Sequence, residues 1–129
     1  LLKKGGRRFF NEFPLDRKYA HRTMRFLAHR AFPFAVSGGR FVTVSTCTGT
    51  KRRALELVKR FGAICENMEG AAIAHVCKRY GIPMIEIRGI SNVVEDRNKR
   101  EWDIPLAAEN CQRAALACIE TLWDAAGGA

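Results

Sequence analysis

Asn67-Met68-Glu69-Gly70-Ala71-Ala72-Ile73-Ala74 and, further along, Ile87-Arg88-Gly89-Ile90-Ser91-Asn92 decide how this chain reads. The first segment opens an alanine-rich helix with a carboxylate, and the second closes an apolar run, residues 82–87, with a cluster of polar groups. If strand, helix and strand make one βαβ unit, both clusters fall at the carboxyl ends of parallel strands. That is the rim where open α/β sheets bind ligands.

Outward from that stretch the same alternation continues. Residues 63–66 read as a short strand, preceded by a helix over 51–61 that Gly62 ends and Thr50 caps. Before it the β-branched run Phe41-Val42-Thr43-Val44-Ser45-Thr46 predicts a buried strand, which ends in the small polar turn Cys47-Thr48-Gly49-Thr50. Gly49 lets a backbone approach a ligand closely, although an ordinary strand-to-helix turn has the same composition. Upstream, Asp16 caps a helix over 17–30 whose apolar positions Tyr19, Met24, Phe26 and Leu27 share one face loosely, with the cations on the other. The loop over 9–16 is pinned by Pro14, and Phe9, Phe10 and Phe13 within it read either as core or as an exposed interface. Downstream, Gly81 stands at a helix C′ position and residues 82–87, apolar except for Glu86, read as a central parallel strand. Asp103 caps a last helix over 104–124 with Pro105 in its first turn. The order predicts an α/β fold: a mostly parallel central sheet flanked by helices.

With 129 residues and 47% hydrophobic content, the chain suits one domain, 1–129. It starts on Leu1 and passes directly into Lys3-Lys4-Gly5-Gly6-Arg7-Arg8, so an N-terminal portion of the domain is expected to be missing. Lys, Arg or Glu interrupts every apolar run before the ~20 residues of a membrane span, so no membrane partner is expected. The net charge of +9 raises the question of nucleic acid. The basic residues are nevertheless spread over several elements without aromatics interleaved for base stacking, and no nucleic-acid partner is expected. Cys47, Cys65, Cys77, Cys111 and Cys118 are odd in number and lack C-x-x-C spacing, which reads as reduced thiols in the cytoplasm, mostly buried. His21 and His29 read as surface residues, and no metal or other cofactor is expected.

The macrodipole favours the negative charge of Glu69 at its helix start, and a carboxylate there can grip a pair of sugar hydroxyls. A Glu that merely satisfies the dipole is the alternative. Arg88, entering a buried rim, needs an anionic or hydroxyl partner, and Glu69 is the nearest candidate by topology. Ser91 and Asn92 follow at the strand tip, where an amide can donate to a heterocycle nitrogen, though a Ser/Asn pair also suits a turn. From the residues alone the reading ends at a polyhydroxy or nucleoside-like ligand. A non-catalytic nucleoside-binding fragment and a basic nucleic-acid module stay open beside an enzyme.

The two quoted segments resemble the purine nucleosidase and nucleoside phosphorylase superfamily, and with Asn11-Glu12-Phe13-Pro14-Leu15 and the stretch 43–50 they look most like its futalosine-hydrolysing branch. The likeness runs over residues 9–108. It implies a cofactor-free hydrolysis of the N-ribosidic bond, releasing hypoxanthine from futalosine on a route to menaquinone, by an enzyme that is commonly a homo-oligomer. It also implies that Met68 and Glu69 hold the ribose, that Asn92 contacts the purine, and that Thr48, Gly49 and Thr50 line the base. Glu69 and Asn92 are then the expected catalytic residues, with Asn67, Arg88 and Ser91 expected beside them in the substrate site, Arg88 and Ser91 orienting Glu69 or the base-side residue. Phosphorolysis or an adenine-type cleavage on the same fold is the alternative. Asn67 and Asn92 stand where adenine-cleaving relatives carry carboxylates. The water-activating carboxylate and a glycine-rich first-strand loop are expected upstream of Leu1.

Overall fold

Side chains at the helix ends set most of the element boundaries. The structure is a computed structural model that describes residues 2–4, 6–96 and 99–124. It runs through β1 (Leu2–Lys4), β2 (Arg7–Phe9), α1 (Arg17–His29), β3 (Arg40–Thr43), α2 (Lys51–Phe61), β4 (Ala63–Asn67), α3 (Gly70–Tyr80), a 3₁₀ turn (Lys99–Glu101) and α4 (Ile104–Asp124). Helix α1 starts where Asp16 Oδ1 accepts from Lys18 N (3.0 Å) and Tyr19 N (3.2 Å). In the same way Thr50 Oγ1 takes Arg53 N (3.3 Å) at α2, and Asp103 Oδ1 takes Leu106 N (3.0 Å) at α4. Each bond satisfies one of the amides that a helix leaves unpaired in its first turn. Helices α2 and α3 end on Gly62 (φ 62°) and Gly81 (φ 75°), left-handed positions that a side chain would strain.

The fold is α/β. Strands β3 and β4 pair in parallel, joined by α2 as the crossover, with Val42 opposite Glu66 and Thr43 opposite Asn67. Val44 N adds one more bond, to Asn67 O at 2.8 Å, so the ladder ends short of the strand expected to continue to residue 46. Strands β1 and β2 form an antiparallel hairpin, Leu2 opposite Phe9, that turns through Gly6 (φ 74°). The sequence reading has no strand there, because Lys3-Lys4 and Arg7-Arg8 lack apolar alternation and only the Gly5-Gly6 pair marks the turn.

Residues 82–87, expected as a central parallel strand, depart most from the reading: no strand forms there among the described residues. An apolar run reports burial, but a strand exists only where a second one supplies a ladder of N–H and C=O partners. Here Met84 O accepts a single bond from Asp16 N (3.2 Å), and Ile82 N closes onto Cys77 O (2.9 Å) at the end of α3.

The described chain divides into two compact units. The first holds the hairpin, the start of α1, the β3–α2–β4–α3 stretch through Glu86, and the Val94 segment. In it Phe9 is buried, Lys78 Nζ lies 5.0 Å from its ring centroid, and Phe13 stacks on His75 at 5.2 Å. Two of the three loop phenylalanines therefore pack within this unit, while Phe10 stays 70% exposed. The second unit holds 21–38, 87–93 and α4. Its core is Leu27, Ala114 and Cys118, flanked by Phe26, Phe32, Phe34, Val36 and Ile87. All five cysteines are free, Cys118 buried and the others half-buried. Burial pushes the Cys118 thiol above its ordinary value, because the thiolate would lose its hydration there. Among the described residues no helix is long and apolar enough to cross a membrane.

Candidate functional site at the start of helix α3

The register of the parallel pair puts Thr43 and Asn67 side by side at the carboxyl ends of β3 and β4. Thr43 Oγ1 donates to Asn67 Oδ1 at 2.8 Å and accepts from Ala71 N at 2.9 Å. Asn67 Oδ1 also accepts from Gly70 N at 2.8 Å, and its Nδ2 donates to Glu86 Oε1 at 3.3 Å. Asn67 is buried, so these bonds offset the loss of water from its amide. Together they take the first two amides of α3.

Glu69 occupies the N-cap position with no side-chain cap bond. Its backbone oxygen does the local work, accepting from Ala72 N (3.0 Å) and Ile73 N (3.3 Å). The carboxylate is on an exposed residue beside Met68, itself 51% exposed, at the positive end of the helix dipole. On β4, Glu66 Oε1 accepts from Thr48 N at 3.0 Å, which ties the turn after β3 to β4. Gly49 is half-buried, and a Cβ built on it would meet nothing within 4 Å. Thr50 is spent on capping α2. Thus Thr48, Asn67, Met68 and Glu69 lie at the ends of one parallel pair, within the first unit.

Arg88, Ser91 and Asn92 belong to the second unit. There Ser91 Oγ donates to Asn92 Oδ1 at 2.8 Å, and Asn92 Nδ2 donates to Val93 O at 3.0 Å. Asp103 N bonds Ser91 O at 2.9 Å, so the loop is fixed to the start of α4. With Oδ1 held by a hydroxyl and Nδ2 on the Val93 carbonyl, the amide plane is fixed, and one N–H is used in neither of these bonds. Arg88 and Asn92 are both half-buried.

Three polar groups near the start of α3 carry no site signal in the sequence taken alone: Thr43, Glu66 and Glu86. Thr43 and Glu66 meet their partners only through the strand register. Glu86 leaves only an indirect trace, as the one acid in an apolar run. Among the described residues no group of three or more His, Cys, Asp or Glu side chains could hold a metal ion.

Residues 4–124 match the phosphorylase superfamily, and the chain belongs to that superfamily. Within it the chain is similar to the futalosine hydrolase of Thermus thermophilus, 36% identical over 128 residues, covering 99% of this chain and 52% of the relative. It is similar also to the futalosine hydrolase of Acidothermus cellulolyticus, 40% identical over 86 residues, covering 66% of this chain and 35% of that protein. The 5'-methylthioadenosine/S-adenosylhomocysteine nucleosidase of Halalkalibacterium halodurans is 34% identical over 70 residues, covering 52% of this chain and 30% of that protein. The chain spans about half the length, or less, of these relatives.

Proposed function

We propose that the protein hydrolyses the N-ribosidic bond of a 6-oxopurine nucleoside, most plainly futalosine, with release of hypoxanthine on the way to menaquinone. The observation that carries this reading is Glu69: a carboxylate at the carboxyl end of a parallel strand, spared from capping because Asn67 and Thr43 hold the first amides of α3. Futalosine hydrolases and a nucleosidase among the relatives support the reaction class.

Glycosidic cleavage of a nucleoside builds positive charge on the ribose as the base departs. Glu69 accepts hydrogen bonds from ribose hydroxyls and stabilises that charge, and Met68 packs against the sugar. A charge-assisted hydrogen bond made only in the transition state contributes roughly 1.5–3 kcal/mol, a tenfold to hundredfold effect on rate. Asn92 donates to the leaving purine, Ser91 fixes the direction of its amide, and Arg88 answers a substrate oxygen. The turn at Thr48, Gly49 and Thr50 lines the base. No cofactor enters this reaction. The five free thiols support work in the reducing cytoplasm, and exposed Phe10 is the candidate contact between subunits of a homo-oligomer.

The test is made on the intact protein. Base release in phosphate-free buffer, yielding free sugar, separates hydrolysis from phosphorolysis; strict dependence on phosphate refutes the reading. For base choice, hypoxanthine presents acceptors at N7 and O6 where adenine pairs an acceptor with an amino donor. Asn92→Asp replaces the donor with a carboxyl group and should move kcat/KM from futalosine toward its 6-amino analogue by about tenfold to hundredfold. An unchanged ratio would remove Asn92 from the base site.

A further inference from the structure

We infer that Glu86 is a positioning residue for Glu69, acting through Asn67 across the bare face of Gly70; the inference rests on Glu69 being the ribose ligand. Asn67 Oδ1 receives two donors, Thr43 Oγ1 and Gly70 N, both at 2.8 Å. An amide oxygen has two lone pairs, so the oxygen is full and the nitrogen is obliged to face the other way. It faces Glu86 Oε1 at 3.3 Å.

The bond between Asn67 Oδ1 and Gly70 N spans Met68 and Glu69 and closes them into a turn. The backbone that carries the Glu69 side chain is therefore tied to the Asn67 amide. Glu86 holds the plane of that amide from the far side, with an acceptor that only its NH₂ end can satisfy.

Gly70 shows that a side chain at the first helical position would displace this arrangement. A Cβ there would stand 2.7 Å from Glu86 Oε2 and 2.8 Å from both Glu86 Oε1 and Asn67 Nδ2. Since its φ is not left-handed, the glycine serves space rather than backbone conformation. Placing a half-buried carboxyl group in the run 82–87, where an aliphatic residue would avoid the desolvation, also marks position 86 as more than core.

A double-mutant cycle on the intact protein tests this, read as kcat and KM for a purine riboside. E86A should lower kcat by about tenfold in the wild-type background and cause no further loss in the E69Q background, as coupled residues do. E86Q keeps an oxygen for the Asn67 amide and should restore most of kcat. G70A, whose Cβ intrudes on the same bond, should lower kcat like E86A, and it takes the place of E86A in the cycle if that variant does not fold. Losses that simply add in the double variant, or E86A at wild-type kcat, overturn the inference while leaving the ribose reading standing. E69Q at wild-type kcat overturns the ribose reading and, with it, the inference.

Discussion

Helix α2 is capped by the residue just before it, Thr50, whose hydroxyl takes Arg53 N, whereas the first amides of α3 are taken by Asn67, three residues before its start, and by Thr43 from the neighbouring strand. The N-cap residue is therefore used up at α2 and spared at α3. A Thr at the N-cap position is a structural device. A Glu at the same position, relieved of capping by its neighbours, is a carboxylate that the helix start itself does not use, which is what the proposed ribose contact requires. The two starts show how one fold can make a helix N-terminus either a joint or a tool, depending on where its hydrogen bonds are drawn from.

The largest expected effect would break that contrast outright. Glu69→Gln in the intact protein should cut turnover of a purine riboside by roughly 10² or more, the scale of one lost transition-state contact. Steady-state kinetics at saturating substrate measure it, and a rate close to wild type would make Glu69 as structural as Thr50. A smaller effect sharpens the contrast in stability. Asn67→Ala strands Gly70 N–H and the Thr43 hydroxyl and should cost about 2–3 kcal/mol, while Thr50→Ala at an exposed cap should cost about 1 kcal/mol. Denaturant midpoints of the two variants give the comparison, and equal losses would mean that the non-local cap carries no extra weight.

The smallest effect is a control at high pH, outside both helix starts. Cys118 stays a neutral thiol when folded, with its titration raised by burial. The stability this contributes is complete below the ordinary thiol range and is lost as pH rises through that range toward the raised native value. Wild type, Asn67→Ala and Thr50→Ala should share this alkaline decline, amounting to at most about 1.4 kcal/mol per unit of pH, since one proton is at stake. A steeper decline in Asn67→Ala alone would place a second titrating group at α3.

What the sequence disclosed follows the same division between local and distant partners. Helices α2 and α4 have the bounds expected of them, 51–61 and 104–124, because Thr50 and Asp103 accept from amides, and Gly62 donates to the Val58 carbonyl, within about a turn of themselves. Residues 82–87 form no strand among the described residues, since hydrophobicity does not say whether a second strand lies alongside. Asn67, Met68 and Glu69 could be named from their place before an alanine-rich helix. Thr43, Glu66 and Glu86 could not be joined to them until the pairing of Thr43 with Asn67 was known.

Gly89 bears on how this chain can change over generations. A Cβ there would collide with the Ala107 carbonyl oxygen and crowd Cys111, so the backbone of α4 forbids any other residue. Its neighbours Ile90 and Val93 are 60% and 77% exposed and free to drift. The stretch from Arg88 to Val93 thus combines a fixed pivot with permissive flanks, so side chains around Gly89 can be exchanged without renegotiating the path of the chain that carries them.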